Sequence, residues 1–282
     1  MEQMMKITVL VDNDTLIDRY FLAEPGLSLL IEDDETTVLF DTGYSDIFLK
    51  NAFKMGKYLT DLDYLVLSHN HLDHTWGLDP LIRYFTELQI EQSPFQRPIL
   101  VAHPEIFVSV TAEGLGEIGC LFSEEKLAKH FPIQLSRQPK DLSSKLTFLG
   151  EIPRQNDFEK NLTFGRKEGA DEDDQVIDDS ALVYRSNKGL IIITGCSHAG
   201  ICNIIEYAKE VCGDHRVVDI IGGFHLLNPP AQQLQGTLSY LEALHPEAVH
   251  ACHCTDLPAK IALSRVVPLK EVGVGLSIHY DS

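Results

Sequence analysis

A short run of possible metal ligands lies in the first third of the chain. Residues 69–74 read His-Asn-His-Leu-Asp-His and directly follow the apolar residues 65–67. In an extended backbone His69 and His71 point the same way, and Asp73 and His74 come where we expect the chain to turn into a helix. Neutral imidazole and carboxylate are good ligands for Zn(II), Mn(II) or Fe(II), and two ions held close together can share and activate one water molecule. The run therefore predicts a metal site.

Four side chains from one loop cannot fill the coordination shells of two ions, so the second half of the chain must supply more ligands. Its candidates lie where predicted strands end, at residues 194–198, 222–225 and 253–255, and they include Cys196, His198, His225, His253 and Thr255. The other histidines we interpret as structural: His103, His130, His215, His245, His250 and His279. Cys252 and Cys254 alternate with His253 and should point away from it, so we interpret both as packing residues.

Apolar runs and helical spacing predict the elements that position these residues. We expect strands at 7–11, 27–31, 36–40, 65–67, 99–102, 145–149, 181–184, 190–194, 217–221 and 249–251. We expect helices at 47–55, 124–130, 201–211 and 232–244. Strands with intervening helices, in two halves of similar length, indicate an α/β protein with sheets packed face to face and helices outside. No linker divides the chain, so we expect one domain over residues 1–282.

Composition argues against several classes of function. The chain has 42 acidic and 23 basic residues, a net charge of -19, and no basic stripe, so we expect no nucleic-acid partner. No stretch approaches the roughly 20 apolar residues of a membrane span, and the N-terminus lacks the pattern of a signal peptide. We therefore expect a cytoplasmic protein that acts on a small molecule. Its six cysteines form no paired CxxC motif, which predicts reduced thiols.

The segment 154–179 is rich in carboxylates and poor in large apolar residues. Its acidic residues include Glu168, Asp171, Glu172, Asp173, Asp174, Asp178 and Asp179. Such a composition cannot bury much surface, so we expect a mobile or loosely attached loop. If the segment lies near the metal site, it is a candidate lid.

The run His69-x-His71-x-Asp73-His74 resembles the signature of the metallo-β-lactamase superfamily. Phe40-Asp41-Thr42-Gly43 resembles the strand-and-turn motif of the same superfamily. Together with the later motifs, the resemblance spans almost the whole chain and implies a four-layer αββα sandwich with the site at one edge of the sheets. It also implies that Asp41 supports the metal loop, because a ligating imidazole needs a partner for its other N–H.

The superfamily pattern implies a division of the ligands between two divalent ions, with zinc expected and manganese or iron as alternatives. His69, His71 and His198 would hold the first ion, and Asp73, His74 and His253 the second. The predicted catalytic residues are Asp73 and His225, the latter as an acid that protonates a leaving group. Around the ligands or facing the substrate we place Asp41, Cys196, Trp76 and Thr255.

The sequence departs from the superfamily pattern at Cys196, where many members have a bridging aspartate. Three alternatives follow: His198 reaches in from the next turn, the bridge is only solvent, or Cys196 itself binds a metal as thiolate.

The motifs at 195–201, 223–226 and 253–255 narrow the resemblance to one branch of the superfamily. Its members are the 7,8-dihydropterin-6-methyl-4-(ribofuranosyl)aminobenzene 5'-phosphate synthase-like proteins. In that branch a pair of glycines is common after the metal motif. Here Trp76 offers a ring that either stacks on a planar substrate or forms a wall of the pocket.

Three hypotheses about function follow from these motifs. The leading one is a metal-dependent hydrolase in which activated water attacks a phosphoester or ester, because no serine lies in a nucleophile elbow. The second is a transferase that joins a pterin to an aminobenzene ribose phosphate, with Arg154 and Arg185 as possible cations of an anion pocket. The third is a non-catalytic, metal-bound sensor or binding protein.

Overall fold

Two β-sheets lie face to face in this protein, with helices on both outer surfaces. The structure is a computed structural model and describes residues 4–159 and 162–281. Residues 1–3 and 282, and residues 160–161 of the acidic segment, therefore lie outside the described residues. This four-layer arrangement confirms the α/β fold and the αββα sandwich expected from the sequence.

Sixteen strands occur in the described residues. They are β1 (Met4–Val11), β2 (Ser28–Glu32), β3 (Thr37–Phe40), β4 (Tyr64–Val66), β5 (Ile99–Ala102), β6 (Val110–Ala112), β7 (Gly116–Glu117), β8 (Ile133–Leu135), β9 (Lys140–Asp141), β10 (Leu146–Phe148), β11 (Arg166–Lys167), β12 (Ala181–Arg185), β13 (Leu190–Thr194), β14 (Val217–Gly223), β15 (Ala248–Cys252) and β16 (Ser277–Asp281). Every predicted strand is present, with bounds shifted by a few residues.

The helices are α1 (Ile47–Lys54), α2 (Leu72–Thr75), α3 (Leu78–Ile90), α4 (Glu124–Leu127), α5 (Ile201–Cys212), α6 (Ala231–Leu244) and α7 (Leu257–Leu263). Helices α3 and α7 were not predicted from the sequence. In α3, however, the buried residues Leu78, Leu81 and Phe85 follow helical spacing. No helix in the described chain is long and apolar enough to cross a membrane.

The two large sheets are mixed, and their parallel parts direct strand ends toward the site. The first has the order β16-β1-β2-β3-β4-β5-β8 and is parallel from β3 to β8. The second has the order β15-β14-β13-β12-β10-β9 and is parallel from β13 to β15. A small third sheet, β11-β6-β7, is built from the segments before β8 and within 154–179. Because parallel strands end at the same edge, the loops after β3, β4, β13, β14 and β15 can meet.

Strand β13 shows why the interior strands are continuously apolar. Ile191 and Ile193 face the opposite sheet and join the core between the sheets, whereas Ile192 packs toward the helices on the outer face. All five residues of β13 are buried. Because both faces of the strand are covered, its first four residues are all apolar, and the alternation typical of a half-exposed strand is lost. The polar Thr194 comes last, and its hydroxyl bonds that of Ser197.

The acidic segment 154–179 is attached more firmly than its composition predicts. Val176, Asp178 and Asp179 are fully buried, and Asp174 is 5% exposed. Asp174 accepts the backbone N–H of Val176, Asp178 accepts that of Asn70, and Asp179 accepts that of Ala199. Buried carboxylates are stable only when hydrogen-bonded or paired, and the bonds of Asp178 and Asp179 join the segment to the rest of the fold.

Replacement of Ile193 by alanine tests the core between the sheets. Because Ile193 is fully buried, the Ile193→Ala variant leaves a cavity, and we expect the free energy of unfolding to fall by about 2–5 kcal/mol. Urea denaturation measures this change. Leu227 is 70% exposed, so Leu227→Ala should change stability by less than about 0.5 kcal/mol. Equal effects of the two substitutions would contradict the assigned core.

Candidate metal centre

The first group of possible ligands consists of His69, His71 and His198. Their ring centroids lie 4.7 to 4.8 Å apart, and their ligand nitrogens lie within 4.8 Å of one another. The Nε2 atom of each ring is buried and has no hydrogen-bond partner in the described chain. Because buried polar atoms in folded proteins are nearly always bonded, three converging unpartnered nitrogens fit a metal ion.

The second group consists of Asp73, His74 and His253. The two Nε2 atoms are 3.2 Å apart, and the Asp73 carboxylate lies 3.4 Å from the His253 Nε2 and 3.9 Å from the His74 Nε2. Separations of this size are those between neighbouring ligands of one tetrahedral ion with bonds of about 2.0–2.2 Å. This set therefore also fits a divalent metal.

The sulfur of Cys196 lies between the two groups. It is 3.2 Å from the Nε2 atoms of both His74 and His253, and it lies within 4.8 Å of a His69 ring nitrogen. Burial raises the pKa of this thiol well above its ordinary value. Of the three alternatives drawn from the sequence, the geometry is consistent with two: His198 reaches in from the next turn, and the Cys196 sulfur lies close to ligand atoms of both groups.

Asp41 determines which nitrogens of two imidazoles are available. Its carboxylate accepts hydrogen bonds from the Ser68 backbone N–H and the Ser68 hydroxyl, each at 2.7 Å, and lies 2.7 Å from the His74 Nδ1. Since the Ser68 hydroxyl donates its proton to Asp41, it must accept from the His69 Nδ1, 2.9 Å away. Both rings thus carry a proton on Nδ1, which leaves Nε2 as the ligand atom when the ring is neutral.

A second support, on His253, was missed in the sequence. Its Nδ1 lies 3.1 Å from the Asn13 side-chain oxygen, and its backbone N–H donates to Asp12 at 2.9 Å. Both partners directly follow β1, so a signal was available: polar residues immediately after a buried strand.

Burial and neighbouring charges set the proton affinities of the imidazoles. Burial lowers the pKa of His71 to about 3, and burial together with neighbouring histidines lowers the pKa of His69 and His198 well below the ordinary value. For His74 burial also acts to lower the pKa, but the carboxylates of Asp41 and Asp73 outweigh it and raise the pKa to about 9. The first group is therefore neutral and ready to bind a cation.

His225 lies beside the first group rather than in it. Its ring centroid is 4.2 Å from that of His198, and its buried Nδ1 has no hydrogen-bond partner in the described chain. Its backbone N–H donates to the Cys254 sulfur at 3.2 Å. Thr255, from the same turn as Cys254, accepts the Phe224 backbone N–H through its hydroxyl, so it connects the loops after β14 and β15.

Cys254 is not the simple packing residue expected from the sequence. Its thiol donates to the Cys196 carbonyl at 3.3 Å, and its sulfur lies within 4.8 Å of a His253 ring nitrogen and the Cys196 sulfur. The alternation argument fails because His253 has a left-handed backbone conformation, with φ of 51°, which ends the extended geometry. Cys252, still within β15, is fully buried in the core between the sheets, as expected.

Two aromatic residues remain to be placed, the candidate Trp76 and Phe164, which was not a candidate. The Trp76 indole N–H donates to the Gly119 carbonyl at 2.9 Å, and its ring stacks on Tyr44 at 5.3 Å. Phe164, from the acidic segment, lies edge-on to His71 at 5.2 Å and is 42% exposed. The segment therefore contributes a wall of the site, so it meets the condition under which the sequence made it a candidate lid.

The two arginines considered for an anion pocket are engaged elsewhere. The Arg154 guanidinium donates to backbone carbonyls of Leu162, Gln175 and Val176. Arg185, at the end of β12, lies 3.7 Å from the Asp141 carboxylate. Both side chains therefore already have partners within the protein.

Substitution of Asp41 tests its control of the imidazole nitrogens. In Asp41→Asn an amide NH₂ must replace one carboxylate oxygen and then face the donors on Ser68 and His74, so we expect zinc affinity to fall about 10–100-fold. Competition with a chromophoric chelator measures this affinity. The matched control is Asp79→Asn on α3, whose carboxylate is half-exposed and pairs with Arg83. Wild-type affinity in Asp41→Asn would contradict the assigned role.

Comparison with known proteins places this site in a family. A profile described as the metallo-β-lactamase superfamily matches residues 22–105, which contain Asp41 and the run 69–74. Over 273 residues the chain is 32% identical to the 7,8-dihydropterin-6-methyl-4-(β-D-ribofuranosyl)-aminobenzene-5'-phosphate synthase of Methanocaldococcus jannaschii, covering 91% of this chain and 89% of that protein. It is 30% identical over 261 residues to the uncharacterized protein MJ0448 of the same organism, covering 92% and 94% respectively.

A solved structure is similar over the whole chain. The crystal structure of Tm1679, described as a metal-dependent hydrolase of the β-lactamase superfamily, matches with a TM-score of 0.80 and 27% identity. The match covers 99% of this chain and all of that one. On sequence, fold and the arrangement of histidines at the strand ends, this chain belongs to the metallo-β-lactamase superfamily.

Proposed function

We propose that this protein is a metal-dependent hydrolase that cleaves a phosphoester or ester in a small molecule. The observation that carries the proposal is the convergence of three buried, unpartnered Nε2 atoms, from His69, His71 and His198, beside a second group of ligands. The similarity to Tm1679 supports hydrolysis, and the net charge of -19 argues against a polyanionic substrate such as nucleic acid.

We assign the ligands to two divalent ions. The first group, His69, His71 and His198, would hold one, and the second group, Asp73, His74 and His253, the other. Zinc is favoured over manganese because the Cys196 sulfur, a soft donor, lies between the groups. When bound, two such ions lower the pKa of a water molecule and polarise the bond to be cleaved.

The hydroxyls of the two serines near the site are already engaged, which favours water over serine as the attacking group. The Ser68 hydroxyl donates to Asp41, and the Ser197 hydroxyl donates to the Gly223 carbonyl at 2.6 Å. A serine that attacks a substrate needs a free hydroxyl beside a base.

His225 is the residue we assign to proton transfer. Its Nδ1 has no partner in the described chain and lies beside His198, so it can carry a proton to the leaving group. Asp73 would help to hold the second ion, because its carboxylate lies 3.4 Å from the His253 Nε2. Phe164 covers His71 and limits access of bulk water from that side.

A second candidate function is supported by the synthase from Methanocaldococcus jannaschii, which is 32% identical over 91% of this chain. Under this alternative, the protein joins a pterin to an aminobenzene ribose phosphate. Arg154 already donates to backbone carbonyls, so its guanidinium has fewer N–H groups left for the phosphate of such a substrate. Incubation with a pterin diphosphate and the aminobenzene ribose phosphate, followed by mass spectrometry, separates the two functions. Coupled product would favour the synthase over the hydrolase.

Metal removal tests the proposed hydrolase directly. We expect a chelator to abolish hydrolysis of phosphodiester and ester substrates, and added zinc to restore it. His71→Ala should abolish it irrecoverably, because one of three first-group ligands is lost. The control His279→Ala changes an exposed histidine on β16 and should retain wild-type rates. Undiminished turnover in the protein treated with chelator would contradict the proposal. Tight ligand binding without turnover would favour a sensor.

Leaving-group dependence tests the assigned role of His225. An alkoxide leaves poorly without a proton, whereas a nitrophenolate leaves unaided. We therefore expect His225→Gln to lower kcat about 10²–10⁴-fold for alkyl esters and much less for nitrophenyl esters, with KM nearly unchanged. Steady-state kinetics on matched alkyl and nitrophenyl substrates measure the difference. An equal loss on both substrates would argue against proton donation by His225.

A further inference from the structure

We infer that Asp178 and Asp179 are positioning residues that hold the loops carrying the first ligand group at a fixed separation. This inference rests on the proposed function, since it concerns the same metal centre. Neither carboxylate belongs to a ligand group described above, and both are fully buried. His69 and His71 follow a strand of the first sheet, whereas His198 follows a strand of the second, so contacts between the loops must set their distance.

Asp178 binds the loop from the first sheet. Its Oδ2 accepts the backbone N–H of Asn70 at 2.8 Å, and Asn70 is the residue between His69 and His71. Two residues further along, the Ser180 backbone N–H donates to the Ser68 carbonyl at 2.9 Å. The segment thus binds the loop on both sides of His69.

Asp179 binds the loop from the second sheet. Its Oδ2 accepts the backbone N–H of Ala199 at 2.8 Å, directly after His198. Two consecutive carboxylates therefore each bind an N–H adjacent to a ligand histidine, one from each half of the chain. Hydrogen bonds from a backbone N–H to a carboxylate are short and strong, which suits them to fix a backbone in place.

The segment that carries these carboxylates is itself anchored. Asp174 accepts the Val176 backbone N–H at 2.8 Å and pairs with Lys167 on β11 at 3.3 Å. The Arg154 guanidinium donates to the Val176 carbonyl at 3.1 Å. Asp178 and Asp179 are thus presented from a segment fixed to the small third sheet.

Cobalt(II) binding tests the inference without any substrate. For Asp178→Ala and Asp179→Ala we expect the Kd for cobalt to rise about 10–100-fold and the visible cobalt spectrum to change, because the imidazoles are displaced. Asp178→Asn and Asp179→Asn keep a carbonyl acceptor and should recover most of the affinity. The matched control is Asp173→Ala, from the same segment, whose carboxylate is 63% exposed and pairs with Arg166.

Wild-type Kd and spectrum in both alanine variants would overturn the inference. Where an alanine variant does not fold, as judged by circular dichroism, Asp178→Glu and Asp179→Glu replace it. These variants keep the charge but move the acceptor by one methylene, so we expect an altered cobalt spectrum. An unaltered spectrum and Kd would also overturn the inference. Failure of the wild-type protein to bind cobalt would instead contradict the proposed function.

Discussion

The carboxylate of Asp41 is the contact on which the rest of the metal centre depends. It bonds Ser68 twice and His74 once, and through the Ser68 hydroxyl it also determines the proton position on His69. An imidazole can present a lone pair at Nε2 only if Nδ1 holds its proton and has a partner. One buried carboxylate therefore prepares a ligand atom in each of the two groups, and Asn13 does the same for His253.

The strand ends that form the site share an unfavourable backbone conformation. Asp41, Ser197, His225 and His253 all have positive φ, between 49° and 62°. Non-glycine residues in this region cost about 1–3 kcal/mol each and persist only where surrounding contacts impose them. Here the buried strands that precede each residue supply those contacts. The left-handed turns direct the side chains toward one another instead of along the sheet.

The acidic segment shows how burial changes the meaning of a charged sequence. Burial, with Asp174 nearby, raises the pKa of Asp178 to about 7, and burial raises the pKa of Asp179 to about 6. These carboxylates are therefore buried, whereas most acidic residues of the chain lie on the solvated surface. Backbone N–H groups of the metal loops stabilise them, and Phe164 from the same segment forms a wall beside His71.

The sequence alone predicted ten of the sixteen strands in the described residues and the principal run of ligands, because each of these depends on local order. The four-layer sandwich followed from the resemblance to a family. An apolar strand followed by His69, His71, Asp73 and His74 predicts a metal loop whatever surrounds it. The roles of Cys196, Cys254, Asp178 and Asn13 were decided only by the tertiary structure. A left-handed turn reverses the direction of a side chain within one residue, and a hydrogen bond between distant loops leaves no spacing in the sequence. Local pattern therefore predicts which residues can bind a metal, whereas the packing of two sheets decides which of them meet.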